Sequence, residues 1–283
     1  MRLSKVLTAT AFAGVMALAA TGPASATNVG GIDFPAGAVF KSTNIFENIV
    51  GAPGTTLDGI GIVNNISASG SPLFTWVNGD NGRELTFRFV GYKVEKIIIE
   101  PTLGLTARIL FSGGVTNFYS DSAQDFSANS GSQAADIASA INTDLSGAWL
   151  SVAGASTGTF ACDATCFSGA GTAITLDSNV FLGTAFDITS IRSDIDSGGS
   201  GMLNVTGGLA GGNFDTNTQF GGADISLGSN FRGAISGTSN FPLTGTASFQ
   251  STAVPEPGTL ALFGFGLLGL GFAARRRRRK LAA

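Results

Sequence analysis

The 283-residue chain contains no histidine. That absence removes Ser-His-Asp triads, Cys-His dyads, imidazole general bases and His-ligated metals in one step. Charge is also scarce. Asp, Glu, Lys and Arg make up 12% of the residues, where a typical soluble chain carries about 25%. There are two cysteines, two tryptophans and two tyrosines, against 22 phenylalanines. Glycine is abundant, with 41 residues, a frequency near twice the usual ~7%.

The formal net charge of −3 conceals an asymmetry. Arg2 and Lys5 lie at one end, and Arg275 to Arg279 with Lys280 at the other. Eight basic residues remain between them against all 19 acidic ones, so the stretch between the two basic ends carries about −11. A nucleic-acid-binding domain would spread basic residues over a folded face. Here they flank apolar segments, which is a membrane pattern, and no nucleic-acid partner is expected.

Residues 1–26 read as a secretory signal peptide. A short basic start carries Arg2 and Lys5, Val6 to Ala20 is apolar, and Ala24-Ser25-Ala26 supplies a small-residue cleavage site. Pro23 breaks the helix ahead of that site, as a peptidase needs an extended substrate. The expected partners are the Sec translocon and signal peptidase, with Thr27 as the mature start.

The other end has three parts. Val254-Pro255-Glu256-Pro257 is rigid and extended, because each proline fixes its own φ and keeps its predecessor out of the helical region. Gly258 to Ala274 is an uncharged apolar stretch, expected to form a single transmembrane helix. At 1.5 Å per residue it covers about 25 Å, slightly less than a hydrocarbon core. Arg275-Arg276-Arg277-Arg278-Arg279-Lys280 follows, and its side chains can snorkel to extend the span. The positive-inside rule keeps that cluster cytoplasmic and leaves the body outside.

This tail, residues 254–280, resembles the PEP-CTERM protein-sorting signal of Gram-negative bacteria in all three elements and their order. The resemblance implies recognition of Pro255-Glu256-Pro257 by an exosortase, a membrane-embedded cysteine transpeptidase. The enzyme would cleave near the motif and pass the body to the cell surface or matrix, so the membrane anchor would be transient.

The body, residues 27–253, has the length of one large all-β domain. Leu85-Thr86-Phe87-Arg88-Phe89 alternates as a half-buried strand does. Lys96 to Glu100, Ala107 to Phe111, Val115 to Tyr119, Trp149 to Ala153, Ala173 to Leu176, Phe186 to Ile191 and Met202 to Val205 are further strand candidates. Asn78 to Gly82, Ser112-Gly113-Gly114 and Ser197-Gly198-Gly199 read as turns between them. Many short strands with Gly-rich turns predict an antiparallel sandwich or barrel, and of the two a β-sandwich is expected. One accessory helix is expected over about 132–146, where Ile137, Ile141 and Leu145 recur at four-residue spacing. Ser132 suits its N-cap and Gly147 its C′ position. The glycine-dense segment 207–250 reads as closing strands that lead into the tail.

Asn204 to Gly208, Asn213 to Thr218 and Leu243 to Gln250 make the body loosely similar to secreted PEP-CTERM proteins associated with flocculation. That similarity implies an exopolysaccharide-rich floc or biofilm as the setting.

Chemistry is thin. An even cysteine count in an exported chain predicts a disulfide, Cys162 to Cys166, a small loop contributing roughly 2 kcal/mol. C-x-x-x-C lacks the spacing of thioredoxin-like redox centres, and without further soft ligands it does not make a zinc site. Asp194-Ile195-Asp196-Ser197-Gly198 faintly resembles a calcium loop but lacks the later ligands, and a solvated turn is expected. Glu84, Glu95 and Glu100 are the carboxylates a His-independent glycosidase would need, yet nothing pairs them. Trp76 and Tyr119 have faces that could stack on sugar rings, whereas Trp149 is read as core. The expectation is a non-enzymatic surface or matrix protein with no cofactor and no metal, or alternatively a carbohydrate-binding module.

Overall fold

The computed structural model describes residues 26–100, 106–156, 174–181, 197–233 and 239–252. Among these, thirteen strands and two short α-helices form. The strands are β1 (Thr27–Val29), β2 (Ile32–Phe34), β3 (Ala38–Glu47), β4 (Thr56–Ile62), β5 (Asn65–Ala68), β6 (Phe74–Val77), β7 (Glu84–Glu100) and β8 (Thr106–Asp121). Helix α1 (Gln133–Ala140) follows, then β9 (Leu150–Gly154), β10 (Ile174–Phe181), β11 (Ser197–Gly207), α2 (Gly211–Phe214), β12 (Ile225–Gly233) and β13 (Leu243–Ser251).

The expected all-β class holds, but the sandwich does not. One antiparallel sheet runs β3-β4-β7-β8-β10-β11-β12-β13 and then returns to β3. The closing ladder spans Leu243↔Glu47 to Gln250↔Val39. A sandwich and a barrel share the same in-out alternation. Only the pairing of the last strand with the first long one separates them, and full closure leaves no edge strand at that seam. Eight strands enclose an interior that side chains can fill.

The β7–β8 hairpin spans almost the full lengths of both strands, from Glu84↔Asp121 to Glu100↔Thr106. Ser112-Gly113-Gly114, expected to be a turn, lies inside β8. Gly113 (φ 65°) and Gly114 (φ 87°) take left-handed conformations that only glycine adopts freely. The strand bends there without ending, because both halves stay paired with β7. The bend lets β8 change its other neighbour, from β10 (Ala107 to Ser112) to β9 (Val115 to Phe118). Ser197-Gly198-Gly199 is likewise part of a strand, pairing with Phe231, Asn230 and Ser229 of β12.

One end of the barrel is plugged by aromatics. Phe34, Phe40, Trp149 and Phe214 pack with ring centroids 4.8–6.0 Å apart. Trp149 Nε1 donates to the Val29 carbonyl at 2.8 Å, which ties the β1–β2 hairpin across this end. Each such ring, fully buried, contributes about 1.5–3 kcal/mol over its exposed state.

Helix α1 has the expected N-cap, with Ser132 Oγ accepting from Ala135 N at 3.2 Å. It stops at Ala140 and not near 146. Thr143 Oγ1 donates to the Ser120 carbonyl and accepts from Leu145 N. Asp144 is held by Arg83 and by Ser122 Oγ. These side-chain bonds hold residues 143–145 in non-helical turns, an outcome Thr and Asp favour at helix ends. The expected apolar face therefore divides. Ile137 packs with Ile60, Ala140 and Phe241 in a small core on the outer barrel face, while Leu145 packs against the main core.

Among the described residues, no helix is long and apolar enough to cross a membrane. The expected span, residues 258–274, lies outside them.

Candidate functional site

Two places concentrate chemistry. The first is the barrel interior opposite the aromatic plug. Phe40 and Glu47 lie at opposite ends of β3, which separates them by about 23 Å at strand rise. Around Glu47 the interior keeps a narrow cavity of about 60 Å³, walled by Ile45, Leu57, Phe89, Phe111, Leu227 and Phe231. That is space for a few water molecules. Glu47 is buried among these apolar walls, and burial pushes its carboxyl up to about 8. Burial therefore favours its protonated, neutral form near neutral pH. Tyr92, also lining the cavity, shares a 3.0 Å hydrogen bond with Thr116 Oγ1, and its burial raises the phenol to about 12. Glu47 is the one carboxyl among the described lining residues, so the two-carboxylate arrangement of glycoside hydrolysis has no counterpart in that lining.

The second place is a carboxylate cluster on the outer face of the barrel. Glu84 opens β7 and Asp121 closes β8, and the hairpin register sets them directly opposite. Asp125, four residues beyond, folds back so that Glu84, Asp121 and Asp125 each place an oxygen within 4.8 Å of the other two. Glu84 and Asp121 are buried, at 3% and 4% exposure, and Asp125 is exposed. Glu84 Oε1 accepts from Phe126 N at 3.0 Å, Asp121 Oδ1 from Ala123 N at 3.1 Å, and Asp125 Oδ2 from Asn142 Nδ2 at 3.3 Å. Burial raises the Glu84 carboxyl above its ordinary range. Backbone N–H groups of Phe126 and Asp125 oppose the rise, and the Asp125 and Asp121 charges add to it.

Of Glu84 and Glu95, Glu84 joins a cluster and Glu95 does not. Glu95 points to the surface and accepts from Ser112 Oγ at 2.5 Å and from Lys93 Nζ at 3.1 Å. Those two bonds hold its carboxyl below the usual range. The Glu100 side chain lies outside the described atoms. Asp121 and Asp125 were not singled out from sequence, because only the hairpin register and the loop after β8 bring them to Glu84.

Trp76 is not a sugar platform, since it is fully buried in the core. Its neighbours Phe74 and Val77 are the exposed residues of that strand. Tyr119 is half-buried. Trp149 is core, as expected. Ala26 is the first described residue, and β1 starts immediately after it. Ala24, Cys162, Cys166, Asp194, Val254 to Pro257 and Arg275 to Lys280 lie outside the described residues, as does Asp196.

The comparison with protein families matches residues 253–279 to the PEP-CTERM protein-sorting motif. No curated protein and no solved structure matches the chain. The chain therefore carries a PEP-CTERM sorting signal. That signal marks an exported protein whose C-terminal end is a transient membrane anchor and whose processing partner is an exosortase.

Proposed function

We propose that the chain is a non-enzymatic display or matrix protein of a Gram-negative cell, released by exosortase into an exopolysaccharide-rich floc or biofilm. The observation that carries this is the junction between barrel and signal. Strand β13 ends at Ser251 and the sorting motif begins at 253. One residue separates them, so the closing strand of the barrel leads straight into the anchor. Cleavage at Pro255-Glu256-Pro257 would free a compact acidic barrel with a short C-terminal extension. At the other end, removal of residues 1–26 by signal peptidase after Sec export would leave Thr27, the first residue of β1, as the N-terminus.

The test replaces Pro255, Glu256 and Pro257 by Ala and follows full-length protein by fractionation and intact mass. Retention of the unprocessed chain in the membrane is expected, and normal release would overturn the exosortase reading. Residence in the matrix is checked separately. Released protein should co-fractionate with exopolysaccharide, and its recovery wholly in the polysaccharide-free supernatant would remove that part.

A second reading, a carbohydrate-binding module, draws on an outer groove lined by Lys41, Thr43, Asn230, Thr246 and Ser248. These side chains supply the hydroxyl, amide and ammonium groups that hydrogen-bond sugars. Saturable retention on a defined polysaccharide, lost in Asn230→Ala, would favour it over passive display.

A further inference from the structure

We propose that Glu84, Asp121 and Asp125 bind a calcium ion on the outer face of the barrel, at the mouth of the β7–β8 hairpin. Its three donors belong neither to the sorting signal nor to the Asp194–Asp196 segment. Its donors come from three positions that the fold brings together, namely the first residue of β7, the last residue of β8 and the loop beyond.

The decisive feature is an oxygen without a partner. Asp121 is 96% buried by its 4% exposure, and its Oδ2 accepts no hydrogen bond. The other buried aspartates among the described residues are satisfied on both oxygens. Asp136 accepts from Ser130 N at 2.6 Å and Asn240 Nδ2 at 2.9 Å. Asp177 accepts from Arg108 on both oxygens. Asp224 accepts from Val205 N, Thr216 N and Asn217 N. A buried carboxylate oxygen left bare costs its full desolvation unless something else meets it. Beside it stand two more carboxylates. The nearest cation in sequence, Arg83, is committed to Asp144. The group that fits is therefore a cation from solution.

The donor set is all oxygen, which selects hard cations over zinc or copper. Oxygens that all lie within 4.8 Å of one another are close enough to share one calcium ion at calcium–oxygen distances of about 2.4 Å. Magnesium sheds its waters reluctantly and is usually held by one or two carboxylates, so a three-carboxylate site suits calcium better. The exposed Asp125 leaves one side open, where waters complete the six to eight ligands calcium takes.

The test uses the full chain in detergent, stripped with EDTA and titrated with CaCl2 by calorimetry and by thermal unfolding. Saturable uptake is expected with a dissociation constant on the order of 10⁻⁴–10⁻³ M, the range of extracellular calcium modules. At about 10 mM CaCl2 the midpoint should rise by roughly 3–10 °C. Asp125→Asn, an exposed change that keeps the fold, should abolish the uptake and the rise. Asp121→Asn should raise the calcium-free midpoint, since it removes the bare charge, while also losing the calcium response. Asp194→Asn with Asp196→Asn should leave the response intact. Absence of uptake by the wild type, or an unchanged response in Asp125→Asn, overturns the site. An equal rise with MgCl2 overturns the assignment to calcium.

Discussion

Phe249 on the last strand is the direct cross-strand partner of Phe40 on β3, and this pair sits on the seam that closes the barrel. Phe249 also meets Phe87 and Phe118 edge-on, with centroids 5.3 and 5.1 Å away. Its loss would open a cavity and weaken closure together. Phe249→Ala should cost about 3–5 kcal/mol. Urea unfolding followed by tryptophan fluorescence should show a lower midpoint. An unchanged midpoint would mean that the seam does not limit stability.

The same strand carries a steric constraint. A Cβ on Gly245 would lie 1.9 Å from the Asn230 carbonyl oxygen and 2.7 Å from the Phe231 Cα, both backbone atoms of β12. Neither can turn aside as a side-chain tip would. Gly228, on β12 itself, has nothing within 4 Å of the equivalent position. Gly245→Ala should therefore destabilise by about 1–3 kcal/mol or more, while Gly228→Ala should be near neutral. Comparable midpoints for the two variants in the same urea series would contradict the close approach of β12 and β13.

Across β8 and β10, Arg108 Nε and Nη2 grip both carboxylate oxygens of Asp177, and both side chains are largely buried. Removing one partner strands a charge in a poorly hydrated place. Asp177→Leu alone should cost about 3 kcal/mol or more, and the double change Arg108→Met with Asp177→Leu should recover most of it. A double-mutant cycle measures the coupling. Additive losses would show that the pair acts as two independent solvated charges.

How much of this was legible in the sequence depends on distance along the chain. The sorting tail is a linear address, so its Pro-Glu-Pro, apolar stretch and basic cluster can be read without any fold. Strand β7 was visible in two parts, in the alternation of Leu85 to Phe89 and in the Ile-rich run ending at Glu100. Gly113 and Gly114 were misread as a turn. Glycine at positive φ serves a turn and a bent strand equally well, and only continued pairing with β7 decides between them. Closure of the barrel could not be told from an open sandwich, for a related reason. It depends on Phe249 facing Phe40 some two hundred residues away, a contact no local pattern encodes. The burial of Trp76 and the meeting of Glu84 with Asp121 likewise depend on which strands become neighbours. Helix α1 failed at its end, where Thr143 and Asp144 found partners on Ser120 and Arg83 that outweighed the Ile137–Ile141–Leu145 spacing.

Glu47 gives the protein a pH dependence opposite to that of a paired surface acid. Burial raises its carboxyl from 4.5 to about 8. Between those values the folded state holds a proton that the unfolded chain has released, so stability falls as pH rises. Below pH 4.5 both states are protonated and this group has no effect. Above about pH 8 both are ionised and the full cost, on the order of 5 kcal/mol, is felt. Urea midpoints measured from pH 5 to pH 9 should therefore decline. Glu47→Gln, which keeps the shape and stays neutral, should flatten that decline and leave the protein more stable than the parent at pH 9. If the decline persists unchanged in Glu47→Gln, another group is responsible and the Glu47 carboxyl is hydrated in the cavity.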